Sequence, residues 1–191
     1  MTTPLIGLAG AARSGKDTAA QVLVEAGWTR RAFADKVRDM LYATDPVLID
    51  EACRGGLTSL QRQVDAYGWD DVKEMYPEVR RMFQGLGTDG GRTVLGEDVW
   101  VNALFRECEA SGPTPTVITD VRFPNEARAI KDRGGLVILM HRPGGPRING
   151  ADHASENALA GWDFDAIVIN GGDIESLRKS VISLALASTC D

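Results

Sequence analysis

Four short runs of continuous apolar residues punctuate the chain: PLIGLA (4–9), TVITDV (116–121), LVILMH (136–141) and AIVIN (166–170). None alternates with polar positions, so each predicts a strand covered on both faces. TRRAF (29–33) is a weaker fifth candidate. Helical periods fill the gaps. KDTAAQVLVEAG places Ala19, Ala20, Val22, Leu23 and Ala26 on one side and stops at Gly27. PNEARAIKDRGG opens with Pro124, carries acids early and ends on glycines. DIESLRKSVISLALA repeats Ile174, Leu177, Val181 and Leu184 at helical spacing. Strands alternating with helices predict an α/β fold, a parallel sheet flanked by helices.

Two stretches break the rhythm. Residues 44–112 show helical segments (TSLQRQVDAYG, EVRRMFQGLG, EDVWVNALFRECEAS) and predict no strand. Residues 142–162, RPGGPRINGADHASENALAGW, are rich in Gly, Pro and Asn, as a functional lid would be. The reading is one domain over 1–191. Its core is 1–33, 113–141 and 163–191, with a helical insertion at 34–112 and a lid at 142–162.

Composition narrows the partners. With 27 acidic residues against 21 basic and a net charge of −6, a protein that coats polymeric nucleic acid is not expected. Small phosphate ligands need only a local cluster, and Arg outnumbers Lys sixteen to five. Cys53, Cys108 and Cys190 form no C-x-x-C pair and their number is odd, so neither a disulfide scaffold nor a zinc site is expected. No apolar run approaches membrane-spanning length, and MTTPLIGLAG lacks the basic leader of a signal peptide. A cytoplasmic location without membrane attachment is the expectation.

The chemistry concentrates in GAARSGKDT (10–18), which follows the first apolar run. It satisfies G-x-x-x-x-G-K, then places Asp17 where a hydroxyl is usual, with Thr18 one place late. Glycines let the backbone wrap so that several N–H groups converge on phosphates, and the following helix start adds donors and a favourable dipole. Gly10, Ala12, Arg13, Ser14 and Gly15 form this cradle, and Lys16 would reach the β- and γ-phosphates. Asp17 admits three readings: a helix-starting acid, a magnesium ligand beside Thr18, or a general base. The last is weakened if the acceptor is a phosphate monoester, whose second pKa of about 6 leaves its oxygen already deprotonated. Asp120 ends an apolar run where open α/β sheets bind ligands, the place of a second magnesium-site acid. Arg122 follows at the same edge, suited to hold two phosphates at once. No second acid follows Asp120 and no NKxD motif occurs, which favours group transfer over hydrolysis or a GTPase switch.

Together GAARSGKDT, FADKVRDMLYATDP, LGTDGGR with GEDVWVNAL, DVRFPNEA, DHASE and DAIVINGG resemble the deoxynucleoside monophosphate kinases of tailed bacteriophages. These motifs run in order from about residue 5 to 172. The resemblance implies a P-loop NTPase-type fold with an acceptor-binding insertion and a lid. It implies ATP as donor, Mg2+ as cofactor, a deoxynucleoside monophosphate as acceptor, and a role in supplying phage DNA precursors in the host cytoplasm. A homodimer is compatible with it. SGKD also resembles the loop of animal phosphomevalonate kinases. A kinase for that acceptor or a coenzyme precursor, and a non-catalytic nucleotide-binding regulator, are the alternatives.

Residue by residue, the loop carries over as donor-phosphate and metal residues, with Arg13 either reaching transferring phosphate or simply exposed. Asp35, Lys36 and Arg38 are acceptor-phosphate candidates or a solvated helix start. Gln84, Thr88 and Arg92 lie in what resembles the acceptor loop, where the family tends to write Glu at the position of Asp89; a helix cap and turn is the alternative. Asn125 and Glu126 contact acceptor or start a helix. Arg142 and Arg147 would close over the transferring group, and His153 would hydrogen-bond within the lid. Asn170, Gly171 and Gly172 either meet the donor adenine or form a plain turn. Trp100 is read as core, Trp69 is left ambiguous, and His141 is read as strand-end structure.

Overall fold

The first apolar run becomes β1 (Leu5–Ala9), every residue of which is buried. It is the middle strand of a five-stranded parallel sheet with β2 (Thr29–Arg31), β5 (Thr116–Val121), β6 (Leu136–His141) and β7 (Ala166–Ile169), in the order β2-β5-β1-β6-β7. The structure, a computed structural model, describes residues 3–50, 55–144 and 158–188. It divides into two units, Met1–Phe33 with Val101–Asp191, and Ala34–Trp100.

In the first unit, alternate residues of β1 feed two cores. Ile6 and Leu8 pack with Val117, Ile138, Met140 and Val168 under α1 (Lys16–Glu25) and α8 (Ile174–Ala187). Leu5 and Ala9 pack with Ile118, Val121 and Val137 under α6 (Val99–Ala110) and α7 (Pro124–Lys131). A strand buried on both sides has no polar face to show, which is why the runs read as continuous. The pairing of β1 with β5 slips between Gly7 and Ala9, so the irregularity falls at the carboxyl edge of the sheet.

Caps set the helix starts. Pro124 opens α7, and the Glu126 carboxylate accepts from the backbone N–H groups of Arg122 at 2.8 Å and Phe123 at 3.0 Å. Asp173 caps α8 by accepting from the Ser176 N–H at 2.8 Å. Hydrogen bonds from the Ser176 backbone and side chain hold the Asp173 carboxyl below its ordinary range. Its contribution is therefore present at neutral pH and lost as pH falls through that depressed value. In α8, Leu177 and Val181 are buried, while Ile174 is 63% exposed, one turn earlier than the core begins. Arg31 pairs with Glu107 and donates to Ser111 Oγ at 3.0 Å, tying β2 to α6. No helix among the described residues is long and apolar enough to cross a membrane.

The second unit corrects the strand-free expectation for 44–112. β3 (Val47–Asp50) and β4 (Gly56–Ser59) form an antiparallel hairpin. The signal was too short to read: four residues a side, with Val47, Ile49 and Leu57 exposed and only Leu48 fully buried. The helices follow the expected segments: α3 (Leu60–Met75), broken at Gly68, and α4 (Pro77–Gln84). Gly85–Gly90, for which a helix cap and turn stood as the alternative to an acceptor loop, is a π-helical turn running on into α5 (Gly91–Leu95). Glycines allow it, because a Cβ on Gly91 would meet Trp100 at 2.6 Å. Trp100 is buried with Leu48, Leu60, Val72 and Val79, and its indole N–H donates to the Gly87 carbonyl at 2.8 Å. Trp69 packs edge-on against Phe83.

Inward Leu48 and outward Leu57 should respond differently to truncation. Leu48→Ala should cost about 2–5 kcal/mol in urea unfolding, and Leu57→Ala less than about 0.5 kcal/mol. Equal losses would contradict the inward-outward assignment.

Candidate active site

At the carboxyl end of β1 the chain turns through three left-handed residues, Gly10 (φ 141°), Arg13 (φ 61°) and Gly15 (φ 101°), before α1 begins. Both glycines are required. A Cβ on Gly10 would stand 2.4 Å from the Met140 carbonyl oxygen, and one on Gly15 would stand 2.2 Å from Asn170 Nδ2. Lys16 folds over the loop and donates to the carbonyls of Gly10 at 2.7 Å and Ala11 at 2.8 Å. The Ser14 N–H donates to Ala11 O at 3.2 Å, and the Ser14 hydroxyl is buried without a hydrogen-bond partner. Ala12 and Arg13 are exposed at the loop tip, and Asp17 and Thr18 are exposed on the first turn of α1.

The loop is braced from the last strand. The Asn170 N–H donates to His141 O at 2.7 Å, which makes His141 the strand-end residue it was read to be. The Asn170 side-chain amide donates to Ser14 O at 3.1 Å. Asn170 thus acts on the loop through its side chain, whereas the sequence suggested only backbone contacts or a turn. Beside it opens a cavity of about 400 Å3 lined by Thr18, Arg142, Pro143, Asn170, Gly171 and Ile174. Its size is in the usual range for small-molecule sites. Another cavity, of about 450 Å3, lies at the opposite, amino-terminal end of β1 and β5, near Phe105, Cys108 and Arg133. Burial pushes the Cys108 thiol up, with the Arg31 charge opposing. The loop lies instead at the carboxyl edge, where open α/β sheets bind ligands.

The remaining candidates separate. Asp120 accepts from the Phe33 N–H through Oδ1 at 2.8 Å, capping α2 (Phe33–Thr44). Arg122 is exposed at the sheet edge, and Asn125 is half-buried at the start of α7. Glu126 is 4% exposed with one oxygen shared by two backbone amides, a helix-start role. In the second unit, Arg38 pairs with Asp35 at 2.6 Å and Lys36 with Asp39 at 2.5 Å along α2. Gln84 and Thr88 are exposed, and Arg92 is half-buried. Arg147 and His153 lie outside the described residues. Among the described residues no group of three or more His, Cys, Asp or Glu gathers to hold a metal.

One feature of the second unit escaped the sequence. The Lys73 ammonium lies 4.9 Å from the Phe83 ring centre, and Arg80 Nε donates to Lys73 O at 3.0 Å. Burial first, then the nearby charges of Arg38 and Arg80, lower the Lys73 pKa, against the pull of Asp70. Three cations separated by up to 42 positions (38 to 80) leave no motif to find.

A glycine-shaped loop leaving the central strand of a parallel sheet, with an ammonium over its mouth, defines a P-loop nucleotide-binding enzyme. A solved structure from Thermus thermophilus shares the fold, with a TM-score of 0.52 at 19% identity over the full length of both chains. The model of the family "Deoxynucleotide monophosphate kinase" matches residues 63–181. An Acanthamoeba polyphaga mimivirus homologue of that kinase type is 31% identical over 199 residues, 94% of each chain. The deoxynucleoside-5'-monophosphate kinase of Escherichia phage T5 is 28% identical over 118 residues, 59% of this chain and 47% of that one. The chain belongs to the deoxynucleotide monophosphate kinase family and is a phosphotransferase that uses a nucleotide.

The loop geometry makes a direct prediction. Gly15→Ala should lower stability by about 1–3 kcal/mol through left-handed strain, with a further loss from the Asn170 clash. Adding Asn170→Ala should recover the steric part, less what the lost bond to the Ser14 carbonyl contributed. Thermal unfolding of the two variants checks this, and wild-type stability in Gly15→Ala would contradict the loop conformation.

Proposed function

We propose that this chain moves the γ-phosphoryl group of ATP to a deoxynucleoside monophosphate, giving ADP and the deoxynucleoside diphosphate, with magnesium bound. The observation that carries it is the loop from Gly10 to Thr18, whose left-handed glycines expose main-chain amides and whose Lys16 sits over them. The amides and Lys16 hold the donor phosphates. Arg142, Pro143 and the turn at Asn170–Gly172 line a cavity of suitable size for the donor base.

Asp17 and Thr18, exposed on the first turn of α1, would hold magnesium, which when bound neutralises charge on the β- and γ-oxygens. Asp120 has one oxygen committed to the Phe33 amide, so it serves the start of α2 as well as any metal. A sparse protein ligand set suits magnesium, which keeps waters and phosphate oxygens around it. The acceptor oxygen is already anionic above pH of about 6, so no side chain needs to remove a proton. Its charge falls to cations. Arg122 at the sheet edge is the cation we assign to it. Arg147 and His153 retain their proposed lid roles.

Two measurements test this. In a coupled assay over the four deoxynucleoside monophosphates, their ribose counterparts and phosphomevalonate, at least one deoxynucleotide should turn over fastest. Turnover of another monoester alone, or tight ATP binding with no acceptor-dependent ADP release, would overturn the assignment. Asp17→Asn should raise the magnesium concentration needed for half-maximal rate by about tenfold, a loss in line with one charged ligand, and leave the acceptor KM within about twofold. The reverse pattern would make Asp17 an acceptor contact.

A further inference from the structure

The phosphate loop contains one polar group that its resting arrangement leaves unsatisfied. Ser14 is 3% exposed, and its hydroxyl has no hydrogen-bond partner. Such a group costs about 1–3 kcal/mol when buried, so its persistence in a turn with three left-handed residues calls for a compensating state. The Asn170 amide donates to the Ser14 carbonyl at 3.1 Å, which holds the main chain there and leaves the hydroxyl free to turn. The hydroxyl lies against Gly10, its oxygen 2.9 Å from where a Gly10 Cβ would lie. The Gly10 carbonyl meanwhile accepts from the Lys16 ammonium at 2.7 Å.

We propose that Ser14 is a positioning residue for the donor phosphates: its hydroxyl takes over the Gly10 carbonyl when the Lys16 ammonium turns from that carbonyl to phosphate. The inference rests on the reading that the loop binds a nucleoside triphosphate. In the resting loop Lys16 satisfies the carbonyl and the hydroxyl goes unpaired. In the loaded loop the carbonyl would lose its cation, and a donor on a short side chain already beside Gly10 replaces it. The exchange keeps the main chain at Gly10 satisfied in both states, so the ammonium can leave without the loop losing its shape. It also places the unsatisfied group in the empty state, which biases the loop toward occupancy.

The test measures two quantities in Ser14→Ala and wild type: the thermal midpoint without nucleotide, and the Kd for AMP-PNP with magnesium by calorimetry. Removing an unpaired hydroxyl should leave the nucleotide-free midpoint equal or higher, while Kd rises about threefold to tenfold, the effect of one hydrogen bond. A lower nucleotide-free midpoint with unchanged Kd would make Ser14 an ordinary structural residue and overturn the proposal, as would unchanged Kd alone. A second comparison reads the exchange itself. In a Lys16→Ala background the Gly10 carbonyl is vacant from the start, so adding Ser14→Ala should now lower the nucleotide-free midpoint. The same effect in both backgrounds overturns the exchange. Wild type that fails to bind AMP-PNP removes the triphosphate reading along with this one, whereas wild-type binding with unaltered Ser14→Ala affinity removes this one only.

Discussion

A triphosphate is a dense negative charge that water solvates well, and any site that takes it must replace that solvation with fixed donors. In the reading proposed here the donors are peptide N–H groups of the turn in which Gly10, Arg13 and Gly15 adopt left-handed backbone. Every larger feature of the first unit supports that turn. The sheet places β1 in its centre with both neighbours paired, so the loop leaves a strand that cannot shift. Asn170, from the end of β7, fills the space above Gly15 and ties the Ser14 carbonyl. Lys16 then folds a positive charge over the loop.

The chemistry asked of this frame is modest in covalent terms. The acceptor arrives deprotonated, the donor carries its own leaving group, and the protein's task is to bring anions together and cancel their repulsion. On the proposed reading a carboxylate is tolerated at position 17 because it would act through a cation.

Much of the fold was legible because burial writes itself into sequence. Strands covered on both faces read as unbroken apolar runs, and all five expected strands of the sheet appear. The β3–β4 hairpin did not show, because three of its apolar residues face outward and its strands are four residues long. The stretch Gly85–Gly90 read as turn chemistry, since glycine-rich sequence favours turns locally; the Trp100 indole and the close approach at Gly91 make it helical instead. In the site, the loop was legible as a contiguous motif. The Asp120–Phe33 bond and the Asn170 brace on Ser14 were not, because each joins residues far apart in sequence whose meeting only the fold decides.

The central claim is that main-chain amides of this loop grip the donor phosphates. Amide 1H–15N spectra of the labelled protein, recorded with and without AMP-PNP and magnesium, test it most directly. The account predicts large shifts at Arg13 to Thr18 and slowed exchange of those amides with solvent when nucleotide is present. Phosphoryl transfer by a protein whose loop amides stay unshifted and exchange as before would contradict it.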